Sequence, residues 1–229
     1  MNSLSLDIAT STGWSVICEG DVTQRNGHWQ LFAGQKLRKW RVNWRYFPES
    51  NQSVGWGYWD LKGSDYAPFG YSAGKLLACL LELNKFVPID RIFWEQRFPS
   101  TNFATGDVLA ALGGAVAVFC FNRRPRVVKP VDNRHWAPHF IGRAEHSDAK
   151  AKARRINKMR KEVGDERKFA ARAELKSLSV ARARLYGFTI ERDDESDAIG
   201  ILDYGLDING IVAPWRAGEV LQPILTVTQ

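Results

Sequence analysis

The stretch "ERDDESDAIGILDYGL", residues 191 to 206, constrains the fold of this chain more than any other. It places the acids Asp193, Asp194, Glu195 and Asp197 directly before an apolar run at helical spacing, which predicts a core-facing helix with an acidic start. Carboxylates resist desolvation, so such a helix must expose its acids or neutralise them. Asp194 and Asp197 are three residues apart and share one face. Capping explains one acid at a helix start, whereas two on one face indicate a carboxylate site.

The order of the predicted elements is typical of an α/β domain. "SLSLDI" and "GWSVIC" have the composition of short strands, and "GHWQLF" alternates well enough to be a third, so the chain opens with an antiparallel meander. Residues 34 to 70 interrupt this pattern with Gly, Pro, Ser and many aromatics and indicate an insertion. Leucines at helical spacing predict a helix over residues 72 to 86, and "DRIFWEQ" follows as a strand.

The second half of the chain alternates helices and strands. We expect a helix over roughly residues 105 to 121, a strand at "PRVVKP", and helices after Ser147 and Asp165. The apolar run from 108 to 121 is shorter than the roughly 20 residues that span a bilayer, and its Gly113-Gly114 pair suits close packing, so we expect a buried helix. The 229 residues fit one decorated domain better than two.

The N-terminus, the short apolar run and the cysteines predict an intracellular, cytoplasmic protein that does not enter a membrane. The N-terminus lacks a basic n-region and carries Asp7 inside its apolar stretch, unlike a secretory signal. Cys18, Cys79 and Cys120 are odd in number and lie in apolar surroundings, which favours reduced core thiols over disulfides.

The positive charge of the chain is concentrated in one segment. The net charge is +7, and residues 150 to 184 contain 13 Lys and Arg against 4 Asp and Glu, so the rest of the chain is slightly acidic. A charge run is usually a solvated helical face. This imbalance nevertheless favours a polyanion partner, nucleic acid before membrane. The Ala, Lys and Arg content predicts that the segment is helical.

The insertion contains a basic and aromatic stretch that has two interpretations. "QKLRKWRVNWRYF" interleaves Lys and Arg with the rings of Trp40, Trp44, Tyr46 and Phe47. Exposed rings of this kind can stack on nucleic-acid bases, with about 1–3 kcal/mol per base. Because Trp56, Tyr58 and Trp59 follow closely, packing into a small aromatic subcore or a dimer contact is slightly favoured.

Carboxylates at two predicted strand ends add to the acidic helix start. Asp7 lies near the end of the first strand and Glu95 near the end of "DRIFWEQ", so a mixed sheet can bring both to one edge beside Asp194 and Asp197. Mg²⁺ takes oxygen ligands, and two ions roughly 4 Å apart clamp the attacking and leaving oxygens of an in-line phosphoryl displacement. The four acids therefore predict a metal site if the fold brings them together.

Three motifs, in chain order, resemble the acidic motifs of RuvC-type Holliday junction resolvases within the RNase H-like superfamily: "LSLDIATSTGW", "FWEQRF" and "DDESDAIGILDYGL". The resemblance covers most of the chain outside residues 34 to 70 and about 142 to 168. It implies an α/β fold with an RNase H-like mixed five-stranded sheet, led by an antiparallel meander and flanked by helices. It also implies that the catalytic, metal-binding residues are Asp7, Glu95, Asp194 and Asp197, with Asp193 as the competing choice for the third position.

The resemblance implies further roles. Two Mg²⁺ ions, or Mn²⁺, would activate water and stabilise the departing 3′ oxygen, with Asp7 bridging them. Phe98 stands where the family carries an aromatic that probes the junction, and a core Phe after a strand is an equally good interpretation. Arg134 falls near the family's DNA-contacting basic position. "KSLSVARAR" resembles the basic helix before the last acidic pair, so DNA binding is expected of Lys176, Arg182 and Arg184.

The function implied by the resemblance is paired phosphodiester hydrolysis of branched DNA in recombination or repair, by a phage or bacterial enzyme. A four-way junction has two-fold symmetry, so paired nicks imply a homodimer. The alternatives are an RNase H-like nuclease that cleaves a flap or an RNA–DNA hybrid, and a non-catalytic DNA-binding protein, which leaves the ordered acids unexplained. A zinc enzyme is disfavoured, because Pro138 opposes a helix through His135 and His139.

Overall fold

A computed structural model describes residues 1 to 25, 27 to 33, 36 to 62, 68 to 96, 103 to 163 and 171 to 217. Within them lie the strands β1 (Ser3–Asp7), β2 (Ser11–Glu19), β3 (Gly27–Ala33), β4 (Lys36–Phe47), β5 (Gln52–Asp60), β6 (Arg91–Gln96) and β7 (Val127–Asp132). The same ranges contain the helices α1 (Pro68–Phe86), α2 (Phe103–Arg123), α3 (Asn133–Ile141), α4 (Arg143–Glu162), α5 (Arg172–Leu185) and α6 (Asp193–Asp207). The strands form one sheet with the order β3-β4-β5-β2-β1-β6-β7.

Five strands of the sheet confirm the RNase H-like fold expected from the sequence. β1 runs antiparallel to β2 and parallel to β6, β2 is antiparallel to β5, and β6 is parallel to β7. The chain therefore makes an antiparallel meander with β1, β2 and β5 and then alternates helices with parallel strands. β3 and β4 add a hairpin outside β5, so the sheet has two strands more than the five expected.

The third strand of the meander is not the one predicted. "GHWQLF" is a strand, β3, but it pairs with β4 at the edge, whereas β5, from the segment interpreted as an insertion, lies beside β2. β5 is mostly buried on both faces, so its sequence lacks the alternation that marks a half-exposed strand. Gly55 is required there, because a Cβ at this position would come 2.7 Å from the Trp44 ring.

Helices cover both faces of the sheet. α1 and α2 pack on one face over a core that includes Trp14 and Trp59, whose stacked rings are 5.4 Å apart. α3, α5 and α6 lie on the other face around a second core. All three cysteines are free thiols, and Cys18 and Cys79 are buried, as expected. The α6 face of the sheet is the one that carries the predicted acids.

Most of the described aromatic rings of the inserted segment, residues 34 to 70, pack in the core. Trp44 and Phe47 are 4% and 7% exposed. Trp56 is also buried and donates its indole N–H to Thr189 O at 2.9 Å. The aromatic-subcore interpretation is therefore correct for these three side chains. The side chain of Trp40 lies outside the described residues.

α2 is less buried than its sequence predicts. One face packs on α1, but Val118 and Phe121 are 47% and 78% exposed. A Cβ on Gly113 or Gly114 would meet no atom within 4 Å, so the close packing expected there is wrong. Within the described residues, Thr105–Arg123 is long and apolar enough to cross a membrane, with 22% of the window buried, although a core helix passes the same test.

α3 contradicts the prediction that Pro138 prevents a helix through His135 and His139. Pro138 lies inside α3, whose start is capped by the Asp132 side chain. His139 lies 3.1 Å from the buried carboxylate of Asp203 on α6. Its role is therefore structural, since the contact joins α3 to α6.

Gly205→Ala is expected to destabilise the fold, because a Cβ there would come 2.5 Å from the Phe93 ring, where α6 packs on β6. Gly114→Ala is the matched control. It places the same methyl group in open space on another helix, where Ala is more favourable than Gly by about 0.5–1 kcal/mol. Thermal unfolding should give a lower melting temperature for Gly205→Ala and an equal or higher one for Gly114→Ala. Equal melting temperatures would contradict this packing of α6.

Candidate active site

The ends of β1 and β6 place two of the predicted acids side by side. The two strands pair in parallel register, so Asp7 and Glu95 occupy adjacent positions at the same edge of the sheet. Side chains alternate along a strand, and Ser5, two residues before Asp7, donates to Ala198 O of α6 at 2.6 Å. Asp7 therefore lies on the face of the sheet that α6 covers.

A glycine on β2 lets the start of α6 come close to this edge. Gly13 pairs with Asp7, and a Cβ on Gly13 would overlap the backbone carbonyl of Asp194. Any larger residue would push the start of α6 away. Ser11 donates to Asp194 Oδ2 at 2.7 Å. The close approach of Gly13 to the α6 backbone and the Ser11 hydrogen bond together hold the Asp194 carboxylate near the end of β1.

Two other acids at the start of α6 have structural partners. Glu195 is 2% exposed and accepts from the backbone N–H groups of Glu191 and Arg192 at 2.8 and 3.2 Å, which forms a capping box. Asp193 forms an ion pair with Lys176 of α5. Burial opposes both charges, but their mutual attraction prevails: the pKa of Asp193 is lowered and the pKa of Lys176 is raised. Both acids therefore stabilise the helix start.

A cleft of about 500 Å³ lies at this edge of the sheet. The four predicted catalytic acids line it: Asp7 from β1, Glu95 from β6, and Asp194 and Asp197 from α6. Asp193, the competing choice, is not among its lining residues. The groups contributed by α4 and α5 include His146, Lys150, Arg172 and Lys176. Among the described residues, no three His, Cys, Asp or Glu side chains lie close enough together to hold a metal ion as they stand.

Asp197 is strongly perturbed by its surroundings. Ser179 of α5 donates to its Oδ1 at 3.0 Å. Burial is the main cause that raises the pKa of Asp197 to about 7; the charges of Glu95 and Asp193 add to it, while Ser179 and Lys176 act in the opposite direction. An added cation in the cleft would favour the charged form.

Two of the predicted DNA-contacting residues lie apart from the cleft or outside the described chain. Phe98 lies outside the described residues, so its role at the junction stays a prediction. Arg134 is exposed on α3, and its guanidinium binds the Asp132 carboxylate at 2.9 and 2.5 Å. Arg134 does not line the cleft.

The three predicted basic residues of α5 differ in their surroundings. Lys176 lines the cleft and pairs with an acid of α6. Arg182 donates to Ile141 O at 2.8 Å, and Arg184 donates to Ile190 O at 3.2 Å. These guanidinium groups therefore hold neighbouring backbone in place, and phosphate contacts by them stay a prediction.

Several cleft residues were missed by sequence reasoning. His146 and Lys150 come from α4, and Arg172 comes from the start of α5. None of these residues belongs to a sequence motif that indicates a site. His146 and Lys150 are, however, four residues apart in a predicted helix, a spacing that places both on one face. Burial, reinforced by the charge of Lys150, lowers the pKa of His146, which favours the neutral imidazole.

Comparisons with known proteins give distant similarities. No protein-family model matches the chain, and no curated protein matches it. One similar solved structure is Thermus thermophilus RuvC in complex with a Holliday junction substrate, with 13% identity and a TM-score of 0.47, covering 88% of this chain and 90% of that chain. Another is a Thermus thermophilus RuvC structure with 14% identity, the same TM-score and the same coverage.

In the metal-free protein, Asp197→Asn is expected to raise the melting temperature at pH 8 and to change it little at pH 4. The pKa of Asp197 is about 7 in the fold against an ordinary value of 3.8. The folded state therefore holds an extra proton between these values, and stability falls as the pH rises through them. Asn carries no charge and can still accept from Ser179.

Thermal unfolding with EDTA at both pH values measures this effect. Asp148→Asn is the control, because Asp148 is an exposed acid of α4 outside the cleft. A shift for Asp197→Asn that is equal at pH 4 and pH 8 would show that no buried charge is removed.

Proposed function

We propose that this protein is a metal-dependent nuclease that resolves branched DNA, four-way junctions in particular, by paired phosphodiester hydrolysis. The observation that carries the proposal is the presence of Asp7, Glu95, Asp194 and Asp197, from three separate elements, in one cleft of an RNase H-like fold. The resemblance of the three acidic motifs to those of RuvC-type resolvases supports it. Such an enzyme would act in DNA recombination or repair in the cytoplasm.

The cleft is proposed to bind two Mg²⁺ ions, with Mn²⁺ as a substitute. The donor chemistry fits, because Mg²⁺ takes carboxylate oxygens and keeps several waters. The raised pKa of Asp197 reflects burial and the repulsion of neighbouring acids, both of which a cation would offset. When bound, such ions supply an activated water and stabilise the departing 3′ oxygen. Their ligands would be the four acids of the cleft.

The chain orients these acids before substrate arrives. Asp7 and Glu95 are fixed by the pairing of β1 with β6. Asp194 is held by the Ser11 hydroxyl, and Asp197 is held by the Ser179 hydroxyl. Because these contacts exist in the protein alone, little reorganisation is needed at the moment of reaction.

A homodimer is proposed as the active form. A four-way junction has two-fold symmetry, and two identical sites would nick it symmetrically. The exposed face of α2 supports this assembly, because Val118 and Phe121 are exposed beside open space over Gly113 and Gly114. A second copy of the chain packed on this face would remove both apolar side chains from water.

The proposal is tested by incubating the protein with labelled four-way junction, flap, duplex and RNA–DNA hybrid, each with Mg²⁺ and with EDTA. Symmetric paired nicks in the junction alone, abolished by EDTA, are the expected result. Preference for the hybrid or the flap would assign a different RNase H-like nuclease. Binding without cleavage of any substrate would assign a non-catalytic DNA-binding protein.

Asp7→Asn is expected to abolish cleavage and to leave junction binding largely intact. The substitution removes the charge of one proposed metal ligand and keeps the side-chain shape, while the basic residues are unchanged. Cleavage rates and binding by fluorescence anisotropy measure the two effects. Asp207→Asn, an exposed acid outside the cleft, is the control and should cleave normally. Full turnover by Asp7→Asn would refute the assignment of the site.

The exposed cations of α4 are expected to contact phosphates. Replacing Arg155, Lys158 and Lys161, all exposed, with Gln should weaken binding to every DNA sequence. It should also flatten the dependence of log K on log salt by about 0.9 unit for each phosphate of duplex DNA that is no longer neutralised. Titrations at several salt concentrations measure the slope. An unchanged slope would mean that α4 is only a solvated face.

A further inference from the structure

Two cations in the cleft stand without a partner among the described residues. Lys150 of α4 and Arg172 of α5 both line the cleft. Neither forms a hydrogen bond or an ion pair with another described residue. Lys152, only two residues from Lys150, pairs with Glu174 at 3.0 Å. The two cleft cations are therefore available to a ligand, whereas this neighbour is not.

Ion pairs join the two helices that carry these cations. The Lys152–Glu174 pair joins α4 to the first turn of α5. Near the other end of α5, the Arg182 guanidinium lies 3.6 Å from Glu145 of α4 and donates to the Ile141 carbonyl of α3. Two points of attachment hold α4 along α5, so the wall of the cleft is formed before any ligand binds.

The register of α4 directs Lys150 towards the cleft. Ala149 and Ala153 are buried and lie one turn apart, which sets the face of α4 that packs inward. His146 and Lys150 are also one turn apart and line the cleft. The burial of His146 favours its neutral form. The positive charge contributed by α4 to the cleft therefore comes from Lys150.

Lys150 and Arg172 share the cleft with the four acids without pairing with them. Lys150 and Arg172 line the same space of about 500 Å³ as the four acids, yet no ion pair among the described residues joins either cation to them. Attraction between charges is strengthened where water is partly excluded. The space between these two cations and the acids fits a ligand that binds both, and a phosphodiester strand accompanied by metal ions has this character.

We infer that Lys150 and Arg172 bind a backbone phosphate next to the one placed at the acids, and so set the position of the strand along the cleft. The inference rests on the proposed function and adds to it a pair of strand-positioning residues on α4 and α5. Direct binding of a phosphate by these side chains would place the scissile bond relative to Asp7 and its neighbours. Loss of the pair would displace the strand even where the rest of the DNA stays bound.

The experiment uses four-way junctions in which single phosphates near the crossover are replaced, one at a time, by neutral methylphosphonates. Binding is measured with Ca²⁺ in place of Mg²⁺, so that affinity is read without cleavage. The variant is Lys150→Gln with Arg172→Gln. The matched control is Arg123→Gln with Lys129→Gln, which removes the same charge at exposed positions outside the cleft. Melting temperatures of both variants and of the two single cleft variants report whether the fold is kept.

At one phosphate beside the cleaved bond, neutralisation should weaken wild-type and control binding by about tenfold or more, the loss expected for a charge-assisted hydrogen bond. The cleft variant should bind the normal junction more weakly and show no further loss at that phosphate. Equal losses for all three proteins at every position would overturn the inference. Absence of wild-type cleavage in Mg²⁺ would refute the proposed nuclease. Even then, a phosphate whose neutralisation weakens binding by the wild-type and control proteins, but not by the cleft variant, would establish that Lys150 and Arg172 bind it.

Discussion

The backbone contact between the start of α6 and β2 is the constraint on which the candidate site depends. Gly13 leaves no room for a Cβ beneath the Asp194 carbonyl, and Ser5 of β1 binds the Ala198 carbonyl one turn further along. Asp7 is fixed to the sheet edge by the pairing of its own strand. Only a helix this close to the sheet brings its acids to the same cleft as Asp7. The position of the site therefore follows from small residues that carry no chemistry themselves.

The acidic start of α6 is tolerated because the rest of the helix and its neighbours offset the cost. Ten of the 15 residues of α6 are buried, and burial of its apolar side chains stabilises the helix in place. Glu195 caps the first turn, and Lys176 balances Asp193. Asp194 and Asp197 line the cleft, where they accept from the Ser11 and Ser179 hydroxyls, and the Arg192 guanidinium lies 3.6 Å from Asp194. The helix start thus combines two acids that support the fold with two that are available for chemistry.

The central elements, and with them the strand ends and the helix start that carry the four acids, could be predicted from the sequence, because those signals are local. Residues three apart on a helix share a face in almost any fold, and a strand that ends in Asp7 or Glu95 can be recognised without its partners. Prediction from the sequence failed where the burial of a strand or helix depends on the elements packed against it. β5 is mostly buried on both faces, so its apolar and polar residues do not alternate, and it needs Gly55 because the Trp44 ring leaves no room for a Cβ. α2 has the apolar composition of a core helix, although one of its sides is exposed.

The role of individual cations could not be predicted from the charge of their segment. Lys150, Lys152 and Arg182 belong to the same basic run, yet the first lines the cleft, the second binds α5 and the third holds a carbonyl of α3. Pairing with nearby acids and carbonyls, which only the folded arrangement reveals, decides which charges are left for a ligand.

The chemistry and the substrate contacts of the proposed enzyme have different structural origins. The acids come from β1, β6 and the start of α6, where backbone pairing and close packing leave little freedom. Lys150 and the exposed cations of α4 stand on a helix that contacts only α3 and α5 appreciably among the described elements. A change in the length or charge of α4 would therefore alter which phosphates are held while leaving the acids in place. In a fold built this way, substrate preference can vary without disturbing the reaction, because the two depend on separate contacts.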